Sequence, residues 1–136
     1  MNPKTAVKIV LAIIFAVTLF HICILVSIIP YEITWGGQLK NHSEMIVFET
    51  ISILVNLILI GTLLIKGGYV KSIISLKVVH ITLWIYLLLF GLNTIGNLFA
   101  ATYFEKSLSI ITLALAVLIG VIIKPVRKEK VIIDNE

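Results

Sequence analysis

At 136 residues, 60% of them hydrophobic and only 13% charged, the chain carries too little polar surface to cover a soluble domain. Its formal net charge of +4 comes from lysines and arginines set beside apolar runs rather than along one face, which excludes a nucleic-acid partner and points to a lipid bilayer. The single cysteine, Cys23, excludes an intramolecular disulfide, a Cys-x-x-Cys redox pair and a thiolate metal cluster.

In chain order, residues 7–29 form an apolar run broken only by Lys8, Thr18, His21 and Ser27, long enough to cross a hydrocarbon core of about 30 Å. The run is longer than the apolar centre of a cleaved signal and lacks a small-x-small exit, so an uncleaved first span is expected. Pro30 ends it, and Gly36-Gly37 supplies a tight turn within an outer loop over 30–44. Asn41 and Glu44 have capping-box spacing and predict the start of a second span over 45–65, which Lys66, Gly67 and Gly68 close.

An inner loop over 66–77 follows, in which Tyr69, Val70, Ile73 and Ile74 recur at helical spacing against Lys71, Ser72, Ser75 and Lys77. That pattern predicts a short segment lying in the membrane interface. A third span over 78–100, a tight outer link over 101–106, a fourth span over 107–123 and a basic tail over 124–136 complete a single membrane domain. The expected fold is all-α, a four-helix bundle of four transmembrane spans.

Lysine and arginine near span ends are retained on the cytoplasmic side during insertion. Nine of the eleven lie at the N-terminus, in the middle link and in the tail, leaving Lys40 and Lys106 for the other two links. Both termini are therefore expected in the cytoplasm, with the protein in the cytoplasmic or plasma membrane.

An ionisable or amide side chain in hydrocarbon costs on the order of 1 to 3 kcal/mol unless it is partnered, so each such residue calls for an explanation. Glu49, Ser52 and Asn56 share one face of the second span, and Tyr86, Asn93, Gly96 and Asn97 share a stripe on the third. Glu49, Asn93 and Asn97 lie at similar depth in the outer half. They define a candidate ligand site, with Trp35 in the Gly36-Gly37 turn above as a cover and with Asn56, Ser52 and His21 as further contributors. The structural alternative is interhelical hydrogen bonding that joins helices without binding anything.

His21 has the right depth. A stripe of Ala12, Ala16, Cys23 and Ser27 on the opposite side of the same helix, however, predicts a packing seam that turns it away. A second small stripe, Ser109, Thr112, Ala116 and Gly120, predicts close approach by the fourth helix. His80 and Trp84 read as an interfacial pair one turn apart.

No histidine spacing suits a metal, no serine sits in a nucleophile elbow, and no glycine pattern cradles phosphate, so neither metal nor cofactor is expected. Two readings remain: a small membrane protein binding or transporting a small polar solute through an outward-facing site, or an accessory subunit whose stripes pack against another copy or another membrane protein. An intramembrane enzyme is the remote third.

Overall fold

A computed structural model of the protein describes residues 1–33, 39, 41–100 and 102–124. Within them lie four helices, α1 (Pro3–Leu25), α2 (His42–Lys66), α3 (Leu76–Leu98) and α4 (Tyr103–Ile123), and a single 3-10 turn at Tyr31–Ile33. All four helices are long and apolar enough to cross a membrane. At about 1.5 Å per residue even the shortest spans roughly 31 Å.

Each helix starts on a side-chain cap. Asn2, Asn41, Ser75 and Thr102 each accept a backbone N–H from the first turn, satisfying a donor that the helix itself cannot. Asn41 accepts from Glu44 N–H at 2.9 Å, and its side-chain amide donates forward to the Glu44 carboxylate at 3.3 Å, so the two residues with capping-box spacing are also joined side chain to side chain. Thr102 and Glu105 do the same for α4, with Glu105 N–H to Thr102 at 3.2 Å and the Thr102 hydroxyl to Glu105 Oε2 at 2.8 Å. That box starts α4 at Tyr103, so Tyr103–Lys106 belongs to the helix instead of to a link.

At the other ends, α2 closes as its glycines suggest. Gly68 adopts φ 75°, and the N–H groups of Gly68 and Tyr69 bond back to the carbonyls of Ile65 and Leu64. α1 closes the same way without a glycine: Ser27 takes φ 59°, and the N–H groups of Ser27 and Ile28, both at 2.8 Å, bond to Ile24 and Cys23. The helix thus stops at Leu25, ahead of Pro30, whose ring bars the preceding residue from helical geometry.

The interfacial helix expected between Tyr69 and Lys77 does not form. Gly68 turns the chain at one end and Ser75 caps α3 at the other, leaving too few residues to pass the cost of nucleation. The Ser72 hydroxyl bonds to the Ile74 carbonyl, and Ile73 stands 91% exposed.

The helices form an up-and-down ring: α1 packs on α2 and α4, and α3 on α4 and α2, with the α3–α4 seam the most extensive. The predicted small stripe on α4 makes that seam. Thr94 on α3 donates to Thr112 on α4 at 3.0 Å, and a Cβ added at Gly120 would meet Leu87 of α3 at 3.5 Å. The small stripe on α1 does not make a seam within the monomer. Ala12, Ala16 and Ser27 are exposed because α2 and α4 pack on the face that buries Val10, Ile14 and Thr18.

The two ends of the ring differ in charge. Lys4, Lys8, Lys66, Lys71, Lys77 and Lys124 lie toward the end where α1 begins, here the basic end, whereas Glu32, Glu44, Glu49 and Glu105 lie toward the opposite, acidic end beside Lys106. The interior follows suit. Val10, Ile14, Leu63, Leu83, Ile119 and Ile122 pack tightly through the middle and the basic half. Large apolar side chains such as Phe15, Ile58, Leu88 and Ile110 cover the outside, as they must if the surrounding solvent is acyl chain.

Candidate functional site

Most of the buried polar side chains lie toward the acidic end, with Asn56 near the middle of α2 and Thr62 deeper toward the basic end. On α2 the buried residues are Met45, Glu49, Asn56, Leu59, Thr62 and Leu63, and Glu49 and Asn56, seven residues apart, face inward one above the other. Glu49 has no exposed surface at all. His21 of α1 meets it, Nδ1 donating to Glu49 Oε2 at 2.6 Å, a short bond of the charge-assisted kind.

This contact corrects the azimuth expected for His21, which the small-residue stripe had turned away from the bundle. That stripe faces outward, so the opposite side of α1 faces α2 and carries His21 with it. Phe20 beside His21 stacks on Phe104 with ring centroids 5.8 Å apart, which fixes the start of α4 against the same level of α1. Glu105, one residue further on, is only 5% exposed. Two carboxylates are therefore buried at the acidic end on helices that flank α1 on either side. Thr18 and Ser109 are buried beneath this level, their hydroxyls returned to the backbone at Ile14 and Lys106.

Asn56 lies two turns below Glu49 and is 6% exposed, and its amide nitrogen Nδ2 has no hydrogen-bond partner among the described residues. A buried donor without an acceptor costs on the order of 1 to 3 kcal/mol. Next to it, α2 and α3 are joined directly, the Tyr86 hydroxyl donating to the Val55 carbonyl at 2.6 Å. Beneath this level the described interior is apolar except for Thr62, whose hydroxyl is returned to the Ile58 carbonyl at 2.8 Å.

The other residues expected at the site are placed differently. Ser52 is partly buried and gives its hydroxyl to the Phe48 carbonyl at 3.0 Å, within its own helix. Asn93 is exposed on the outside of the ring and Asn97 partly buried. Tyr86 and Asn93, seven residues apart, lie on the same side of α3, but the buried line of Val79, Leu83, Tyr86, Phe90 and Thr94 is centred nearer Phe90 and leaves Asn93 exposed at its margin. Trp35, the Gly36-Gly37 turn and Lys40 lie outside the described residues, as does the tail beyond Lys124.

Glu105 is the buried carboxylate that the sequence reading assigned to a link. Its signal was available, because Thr102-x-x-Glu105 is a capping box and places the acid in the first turn of a helix. Among the described residues no three of His, Cys, Asp and Glu come together as a metal-ligand group. The chain matches no protein-family model, and no curated protein or solved structure matches it, so every functional argument rests on its own residues.

Proposed function

We propose that the protein is a small multi-pass protein of the cytoplasmic or plasma membrane, with both termini in the cytoplasm, that binds a small polar solute in the acidic-end interior. The lysine-rich end is the one that insertion would retain inside, which turns the acidic end outward. The observation that carries the reading is Glu49. A carboxylate is placed where no solvent reaches it, answered by a histidine from another helix, and an unanswered amide donor from Asn56 lies two turns deeper on the same stripe. Helix joining accounts for the pair, whereas the Asn56 donor, without an acceptor among the described residues, is a group that a bound solute would answer.

The chemistry on offer is an anionic oxygen, an imidazole and an amide N–H, a set that suits a solute with both a donor or cationic group and an acceptor. The apolar packing below Asn56 favours binding over a continuous aqueous pore. The test is a thermal-shift panel in detergent micelles with methylammonium, betaine and glycerol as probes, run on the native chain and on Glu49→Gln. The reading expects a solute-dependent rise in melting temperature that Glu49→Gln removes while the amount of inserted protein stays the same. A fall in inserted protein with no solute response in either chain would assign Glu49 to helix joining.

A second reading, an accessory subunit or homo-oligomer, is favoured by Asn93. Its amide is exposed on the face of α3 with Gly96 beside it, and an amide facing acyl chains is costly until a neighbouring helix answers it. Cross-linking through Asn93→Cys, in a Cys23→Ala background, separates this reading from a monomeric solute binder.

A further inference from the structure

At the basic end the four helices converge on an open cleft of about 620 Å³. Lys4 reaches it from α1, Lys66 from α2, His80 from α3, and Lys124 from the residue after α4, while Pro3 and Ile123 leave apolar surface accessible beside the buried Val7 and Ile122. A volume of this size is typical of small-molecule sites. The three lysines are exposed and make no ion pair among the described residues, and no carboxylate among the described residues lies at this end.

The His80 ring at this cleft is positioned by Trp84, one turn further along α3. The indole N–H of Trp84 donates to His80 Nε2 at 3.2 Å. An indole can only donate, so Nε2 is the unprotonated nitrogen and the ring proton sits on Nδ1, which remains a donor. The first turn of α1, at Pro3 and Lys4, adds the positive end of a helix dipole.

We infer that this cleft binds the phosphate headgroup of an anionic phospholipid, with Lys4, Lys66 and Lys124 surrounding the phosphate, His80 Nδ1 donating to it, and the first part of an acyl chain lying along the apolar surface left accessible at Pro3 and Ile123. Three ammonium groups around one opening, with no carboxylate beside them among the described residues, repel one another, and a bound anion relieves that repulsion. The apolar surface distinguishes a lipid from a free anion, for which hydrocarbon lining is a cost. This inference is independent of the solute site at the acidic end.

The experiment is native mass spectrometry of the full chain in a neutral detergent, titrated in parallel with phosphatidylglycerol, phosphatidylcholine and inorganic phosphate. One phosphatidylglycerol should be retained per chain, with phosphatidylcholine and inorganic phosphate retained far less. At roughly fivefold per lysine near an anionic group, the triple variant Lys4→Gln, Lys66→Gln, Lys124→Gln should bind about a hundredfold more weakly. Lys71→Gln with Lys77→Gln, which removes the same kind of charge at the same end but outside the cleft, should retain the lipid. Equal retention of phosphatidylcholine, saturation by inorganic phosphate alone, or equal loss in the Lys71 and Lys77 variant would each overturn the inference.

Discussion

Asn56 is where structure and function can be told apart with a single substitution. A buried amide donor without an acceptor among the described residues weakens the fold, so Asn56→Leu, which keeps the branched shape at Cγ, should raise stability by about 1 kcal/mol. If the residue serves a solute, that gain comes with loss of the solute-dependent shift in melting temperature. Urea unfolding in micelles alongside the thermal-shift panel reads both quantities from one preparation. The same trade would not be expected at Ser52, whose hydroxyl is already satisfied by its own helix.

The two residues differ in how far the sequence could place them. Glu49 and Asn56 were legible as one face because seven residues make nearly two full turns, and burial of that face follows from hydrogen bonding that lipid cannot supply. Which helix would answer Glu49 was not legible. Small residues mark a possible seam but not which neighbour takes it, and on α1 they mark the outer surface.

Helix ends were decided by caps more than by hydropathy. Apolar runs predicted four spans, yet α4 begins four residues earlier than its apolar run, because Thr102 and Glu105 cap it. α1 ends before its apolar run does, because Ser27 accepts a left-handed conformation ahead of Pro30. The amphipathic pattern after Gly68 failed for a different reason, since periodicity over so few residues cannot outweigh nucleation.

The α3–α4 seam is the element whose sequence signal was clearest. At Gly120 a methyl group would make an ordinary contact with Leu87, whereas a longer side chain would have to push α3 away. Gly120→Ala should therefore change stability by less than about 0.5 kcal/mol. Gly120→Leu should cost about 1 to 3 kcal/mol as the seam is overpacked. Unfolding midpoints of the two variants in micelles check the pair, and equal effects would show that the helices do not approach as closely as Thr94, Thr112 and Leu87 indicate.

Taken as a whole, the molecule is divided across its length. Its described carboxylates and most of its buried polar groups lie toward one end, its described lysines other than Lys106 toward the other, and packed hydrocarbon separates them. The positive-inside bias of membrane insertion would account for the lysines under the proposed topology. It does not explain why Glu49 should be carried into the interior, since a helix start needs an acid only in its first turn and Glu44 already supplies one. The solute reading gives Glu49 a purpose, and it requires the closed acidic end to open on occasion toward the outside.

That opening is the most direct thing to measure. In a Cys23→Ala background, Glu49→Cys should react with a small membrane-impermeant thiol reagent added to intact cells, more slowly than the exposed control Ser43→Cys and more slowly still in the presence of a bound solute. No reaction at position 49 from either face of the membrane, under conditions where position 43 is fully modified, would contradict the account and leave the His21–Glu49 bond as a fastening between two helices.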